Sequence, residues 1–108
     1  MSGTKDEKLA QLIQKVSAEF MQRQSNYTSL ITITNISISD RGKKAIIYFT
    51  VLPENKEKGA LDFAKRKRAE FREYFMENAR IQRVPFFDFE IDKGEKNRQK
   101  IDEIARNV

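Results

Sequence analysis

The sequence predicts an α+β domain in which a three-stranded sheet carries helices on one face. Three observations predict it. Residues 30–52, LITITNISISDRGKKAIIYFTVL, form two strongly β-prone runs around a short polar connector, with the period-two alternation of strands. Residues 84–92, VPFFDFEID, alternate again. Between and around these runs, apolar residues recur at spacings of three and four, the pattern of a helix with one buried stripe.

Residues 1–4 are expected to be disordered, and 5–108 to form a single domain. From Lys5 to about Arg23, Leu9, Leu12, Ile13, Val16 and Phe20 mark an amphipathic helix, whose Lys5, Lys8 and Lys15 are interleaved with acids and read as a solvated face. Gln24 to Ser29 is polar and reads as a loop. In the first β run Ile31 and Ile33 are odd-numbered whereas Ile36 and Ile38 are even, with Asn35 at the change. One extra residue that re-aims a strand is a β-bulge, expected near Asn35. Asp40, Arg41 and Gly42 supply the hairpin turn, Gly42 at positive φ. In the second run Ala45, Ile47, Phe49 and Val51 share one face.

Pro53 ends that strand, and Asn55 is placed to cap a helix. A straight helix from Lys56 to Ala79 would align Leu61, Ala64, Phe71, Phe75 and Ala79, with Arg68 near the middle of the stripe. Burying an unpaired guanidinium is very costly. Either Arg68 snorkels along its stem, or the helix breaks near Ala69; the break is preferred, giving helices of about 56–67 and 70–79. Phe87, Phe89 and Ile91 then alternate with Asp88 and Glu90 in a third strand, Pro85 lying at its start and Asp92-Lys93-Gly94 closing it. From about Glu95, Ile101, Ile104, Ala105 and Val108 define a short final helix.

Composition excludes several chemistries. The chain has no cysteine and no histidine, which removes disulfides, thiolate nucleophiles, zinc–sulfur sites and the commonest general base. No apolar run approaches the ~20 residues that span a bilayer, and MSGTKDEK lacks the apolar core of a signal peptide. A soluble cytoplasmic protein is the expectation. Asp88 and Glu90 project from one strand face about 7 Å apart, a pair capable of acid–base work but more often a solvated face. No P-loop or dinucleotide fingerprint is present.

A net charge of +5 suits a polyanionic partner. The cations concentrate in residues 65–72, KRKRAEFR, where Lys65, Arg66, Lys67, Arg68 and Arg72 face one acid. Arg80 and Arg83 follow, and Lys43 and Lys44 leave the hairpin turn. Cations beside a helix start near Glu70 would combine charge with backbone donors, which is what phosphate recognition needs. These nine residues are the candidate RNA site, weighed against a solvated helix face with i, i+4 pairing to Glu70 and Glu73.

The order helix–strand–strand–helix–helix–strand is that of a type II KH domain, an RNA-binding fold. Its GxxG loop is absent, since Gly3, Gly42, Gly59 and Gly94 are far apart. The chain resembles the ribosome-binding factor A family, which has this order without that loop. The resemblance lies in the phase-changing hairpin LITITNISISDRGKKAIIYFTVL, in RIQRVPFFDFEID, and in the closing KNRQKIDEIARNV. The family builds a helix–kink–helix on Ala-x-Gly, and counting back from Val84-Pro85 places that motif at Lys67-Arg68-Ala69. Lys67 stands for its alanine and Ala69 for its glycine, so Ala69 is the expected kink. Asn26-Tyr27-Thr28-Ser29 replaces the family's Asp-Pro-Arg, and the arginines usual near its N-terminus are lysines or absent here, whereas Arg72 matches a basic position of its second half-helix.

The resemblance implies a non-catalytic, cofactor-free, cytoplasmic monomer without membrane or small-molecule partners. It implies binding to the free small ribosomal subunit and its rRNA during late maturation, with departure before or as translation begins. A general KH-type nucleic-acid module with another client, a basic domain meeting an acidic protein, and an enzyme using Asp88 and Glu90 remain the alternatives.

Overall fold

The computed structural model describes residues 3–24 and 28–106. Helix α1 spans Gly3–Gln24, strand β1 Leu30–Ser39, β2 Lys44–Leu52, helix α2 Glu57–Arg66, α3 Arg68–Asn78, strand β3 Phe86–Ile91 and helix α4 Lys93–Arg106. β1 pairs antiparallel with β2, and β3 joins β2 in parallel on the other side, giving the sheet order β1-β2-β3. A parallel neighbour needs a crossover of a dozen or more residues, and α2 with α3 supplies it. The architecture is the α+β, KH-like one that the element order predicts.

The expected phase change is a bulge. Ile31 faces Val51 and Ile33 faces Phe49, the register then shifts, and Ile36 faces Ile47 while Ile38 faces Ala45. Thr34, the neighbour of Asn35, is the extra residue. A one-residue step exchanges the two faces of a strand, so the bulge points all four isoleucines of β1 toward the same side. On that side Ala45, Ile47, Phe49 and Val51 are buried, joined by Ile13, Val16, Phe20, Ala64, Phe71, Phe75, Phe87 and Phe89 from α1, α2, α3 and β3. Phe71 sits at the centre, its ring centroid 5.3 Å from Phe20, 4.8 Å from Phe87 and 5.7 Å from Phe89. Ser17 is buried too, and its hydroxyl donates to the Gln14 carbonyl at 3.2 Å, so its burial leaves no polar group orphaned.

Several boundaries differ from the sequence reading. α1 already includes Gly3 and Thr4, which the sequence reading places in a disordered start; the first two residues of that stretch, and much of the 24–29 loop, lie outside the described residues. Asn55 does not cap α2: residues 54–56 make one 3-10 turn, and Lys56 holds the cap position without a side-chain bond. α4 starts at Lys93 rather than Glu95, because Asp92 caps it, Oδ1 accepting the Glu95 N–H at 3.0 Å. That bond first, then the Thr34 hydroxyl at 2.6 Å on Oδ2, holds the Asp92 carboxyl below its ordinary pKa. The bulge residue thereby anchors the start of α4.

Beyond that anchor, α4 is attached by charge. Lys96 Nζ lies 2.8 Å from Glu54 and 3.1 Å from Glu57, and Lys100 Nζ lies 3.3 Å from Glu54. Its Ile101 and Ile104 are 66% and 65% exposed, so the apolar stripe of this helix is uncovered; Val108 lies outside the described residues.

Candidate nucleic-acid interface

The helix breaks at Lys67, two residues before the expected Ala69, which is instead an exposed residue in the first turn of α3. Lys67 leaves helical geometry at φ −92°, ψ 7°. The phase argument explains why a break is needed, and the local chemistry explains where it falls. Arg68 Nε donates to the Lys65 carbonyl at 3.1 Å, taking up one of the acceptors that the end of α2 leaves free. Its guanidinium then reaches Asp88 Oδ1 at 3.3 Å, the atom that Lys65 Nζ also meets at 3.3 Å. Arg68 is 42% exposed and not in the apolar stripe.

Asp88 sits on β3, the strand beside α2 and α3. Oδ1 also accepts the Phe89 N–H at 2.8 Å, satisfying a strand-edge donor. Partial burial pushes its carboxyl pKa up; the Phe89 N–H, Lys65 and Arg68 together outweigh that and hold it below the ordinary 3.8. The stability tied to this depressed value is present above 3.8 and lost as the pH falls through the folded value. The carboxylate pair with the spacing for acid–base work is therefore split: Asp88 is bound up in ion pairs while Glu90 is exposed.

The structure gathers Lys65, Arg66, Arg68 and Arg72 around a groove of about 330 Å³ floored by Phe86 and Phe87. Arg72 Nη1 donates to the Pro85 carbonyl at 3.0 Å, so this cation also ties α3 to the segment before β3. Arg66 is exposed. Lys43 and Lys44 adjoin the groove through the sheet, since the Phe86 N–H donates to the Lys43 carbonyl and Lys44 pairs with Phe86. Lys67 turns to Glu70 at 3.1 Å and lies 5.7 Å from the Phe63 ring centroid. Arg80 and Arg83 do not line this groove. The second half-helix starts at Arg68 rather than near Glu70, and the Lys67 N–H before it is taken by the Phe63 and Ala64 carbonyls.

Sequence reasoning missed Phe86. It is 56% exposed, with the Arg68 guanidinium 5.9 Å from its ring centroid. The signal was its parity, since Phe86 shares the wet face of Asp88 and Glu90 while Phe87 and Phe89 share the buried one.

Asp88→Asn is expected to keep the Phe89 acceptor and release Lys65 and Arg68. Exposed pairs of this kind are worth about 0.2–1 kcal/mol, so affinity for single-stranded RNA should rise by a factor of about two to five in a fluorescence titration. The acid limb of the urea stability profile below pH 3.8 should also shrink. Unchanged or weaker binding would mean that these cations do not face the ligand.

Comparison with known proteins bears on these features. A ribosome-binding factor A from Fervidobacterium nodosum is 31% identical over 81 residues, which cover 74% of this chain and 65% of that protein. The chain thus spans about 65% of the length of that relative. The crystal structure of ribosome-binding factor A from Thermus thermophilus superposes with a TM-score of 0.69 at 22% identity, covering 79% of this chain and 93% of that one. Coordinates of the Thermus thermophilus factor fitted into the cryo-electron-microscopy map of a 30S complex give 0.64 at 22% identity, covering 73% and 86%. The two superpositions establish the shared fold. The sequence also matches ribosome-binding factor A over residues 5–105, and on that match the chain belongs to the ribosome-binding factor A family.

Proposed function

We propose that this chain is a non-catalytic assembly factor that binds the free small ribosomal subunit during late maturation and contacts its rRNA through the groove lined by Lys65, Arg66, Arg68 and Arg72. The observation that carries the reading is the exposed Phe86 ring set among Lys65, Arg66, Arg68 and Arg72. Cations supply sequence-independent attraction to phosphate, and an exposed aromatic ring offers a stacking platform for an unpaired base. Family membership and the 30S complex of the Thermus relative support the choice of particle. Binding of this kind works by stabilising one RNA conformation over another, a population shift that requires no bond to be made or broken. The protein acts as a cytoplasmic monomer and takes no cofactor.

The test is co-sedimentation of the protein with free small subunits, large subunits and joined ribosomes across a salt series. Selective pelleting with free small subunits, weakening steeply with salt, is the expected result. Equal association with every particle would reduce the protein to a generic basic RNA binder. Binding to none of them at low salt would point to an acidic protein partner.

A further inference from the structure

The first turns of α1 approach the hairpin turn and residues 81–83 across a second groove, of about 620 Å³. Four cations from three separate elements line it, Lys5 and Lys8 of α1, Arg41 of the turn and Arg83, against one carboxylate, Asp6. None of the four has an ion pair or a side-chain hydrogen bond among the described residues. The contrast with the first groove is sharp: there Lys65 and Arg68 share Asp88, and Arg72 is spent on backbone carbonyls. Three cations in excess are thus left uncompensated here, in a concave place where their fields add.

The floor is apolar, formed by Leu9, Leu12 and Ile81, all partly buried against the core. The rim is fixed by backbone geometry. Asp40, Arg41 and Gly42 have φ of 52°, 57° and 84°, the left-handed conformation that tight hairpins need and that non-glycine residues seldom adopt. Arg41 is therefore held at the groove by the turn. The two grooves are joined by a short stretch of chain, residues 81–83 of the segment before β3 lining this one and Phe86 and Phe87 at the start of β3 the other. A chain spans at most about 3.6 Å per residue, so the Cα atoms of Arg83 and Phe86 are no more than about 11 Å apart.

We propose that this groove is a second RNA site, which receives the phosphate backbone of the same single strand whose base stacks on Phe86. The proposal rests on the RNA-binding reading above and adds to it a strand path along residues 81–86, with Lys5, Lys8, Arg41 and Arg83 as phosphate contacts. Lys5 and Lys8, which look like a solvated helix face in sequence, become part of the interface.

The experiment is fluorescence anisotropy of the full chain with a labelled 16-nucleotide single-stranded RNA across a salt series, for wild type, Lys5→Gln/Lys8→Gln, Arg83→Gln and Phe86→Ala. Each phosphate contact on a single strand contributes about 0.7 to the slope of log K against log salt. The double variant should therefore lose about 1.4 of slope and bind on the order of 25-fold more weakly at 0.1 M salt. Arg83→Gln, from a different element, should lose about 0.7. Phe86→Ala should weaken binding with its slope intact. If both groove variants bind with wild-type slope and affinity while Phe86→Ala binds weakly, the second site is wrong and the first reading stands. Loss of poly-glutamate binding in the groove variants with RNA binding untouched would assign the groove to an acidic protein and overturn the proposal. No RNA binding by the wild type at low salt would overturn both.

Discussion

Replacing Phe71 with alanine is expected to cost about 3–5 kcal/mol of folding stability, a large share of the about 5–15 kcal/mol that a domain has in total. The side chain is fully buried and touches aromatic rings from three other places: Phe20 on α1, Phe75 one turn along α3, and Phe87 and Phe89 on β3. Truncation opens a cavity that rings on a strand and a long helix cannot close by small shifts, so both the transfer and the cavity costs apply. Urea unfolding followed by circular dichroism should show a much lower midpoint at unchanged slope. A loss below about 1 kcal/mol would mean that the site collapses freely and that these rings are not the centre of the core.

Phe86→Ala is expected to do the reverse. The ring is more than half exposed, and surface substitutions usually stay within about 0.5 kcal/mol in stability. Base-on-aromatic stacking is worth about 1–3 kcal/mol per base, so RNA affinity should drop roughly 5- to 150-fold while the unfolding curve stays in place. Phe86→Tyr keeps the π-face and should retain most of the binding. A Phe86→Ala protein that binds RNA as the wild type does would leave only phosphate contacts at this groove.

The different fates of Phe86 and Phe87, neighbours in sequence, show what kind of information a sequence exposes. Side-chain parity is local, so the hairpin, its bulge and the buried face of β3 can be read from residue numbers alone. The need for a break near Arg68 is legible for the same reason, because helical phase is local. Its place is not, since Lys67 is selected by Arg68 reaching back to the Lys65 carbonyl and outward to Asp88, 20 residues further on. The start of α4 is legible too, although the sequence reading sets it two residues late: Asp92-Lys93-Gly94-Glu95 has the spacing of an N-cap with an acid three residues later. The second groove lies beyond such reasoning altogether. It exists only once α1, the hairpin turn and the segment before β3 are folded together, and nothing in the run Lys5-Asp6-Glu7-Lys8 distinguishes it from a solvated face.

The attachment of α4 has a consequence for motion. A helix held through an Asp92 pivot and two lysines, with its isoleucines in water, loses little apolar burial when it swings away. Its opening is then a local event, separate from unfolding of the sheet, and amide hydrogens along α4 should exchange long before those of β2. Salt reaches this hinge as well, because exposed ion pairs are screened over about 10 Å at 0.1 M. Raising the ionic strength should therefore speed amide exchange along α4 while leaving that of β2 in place.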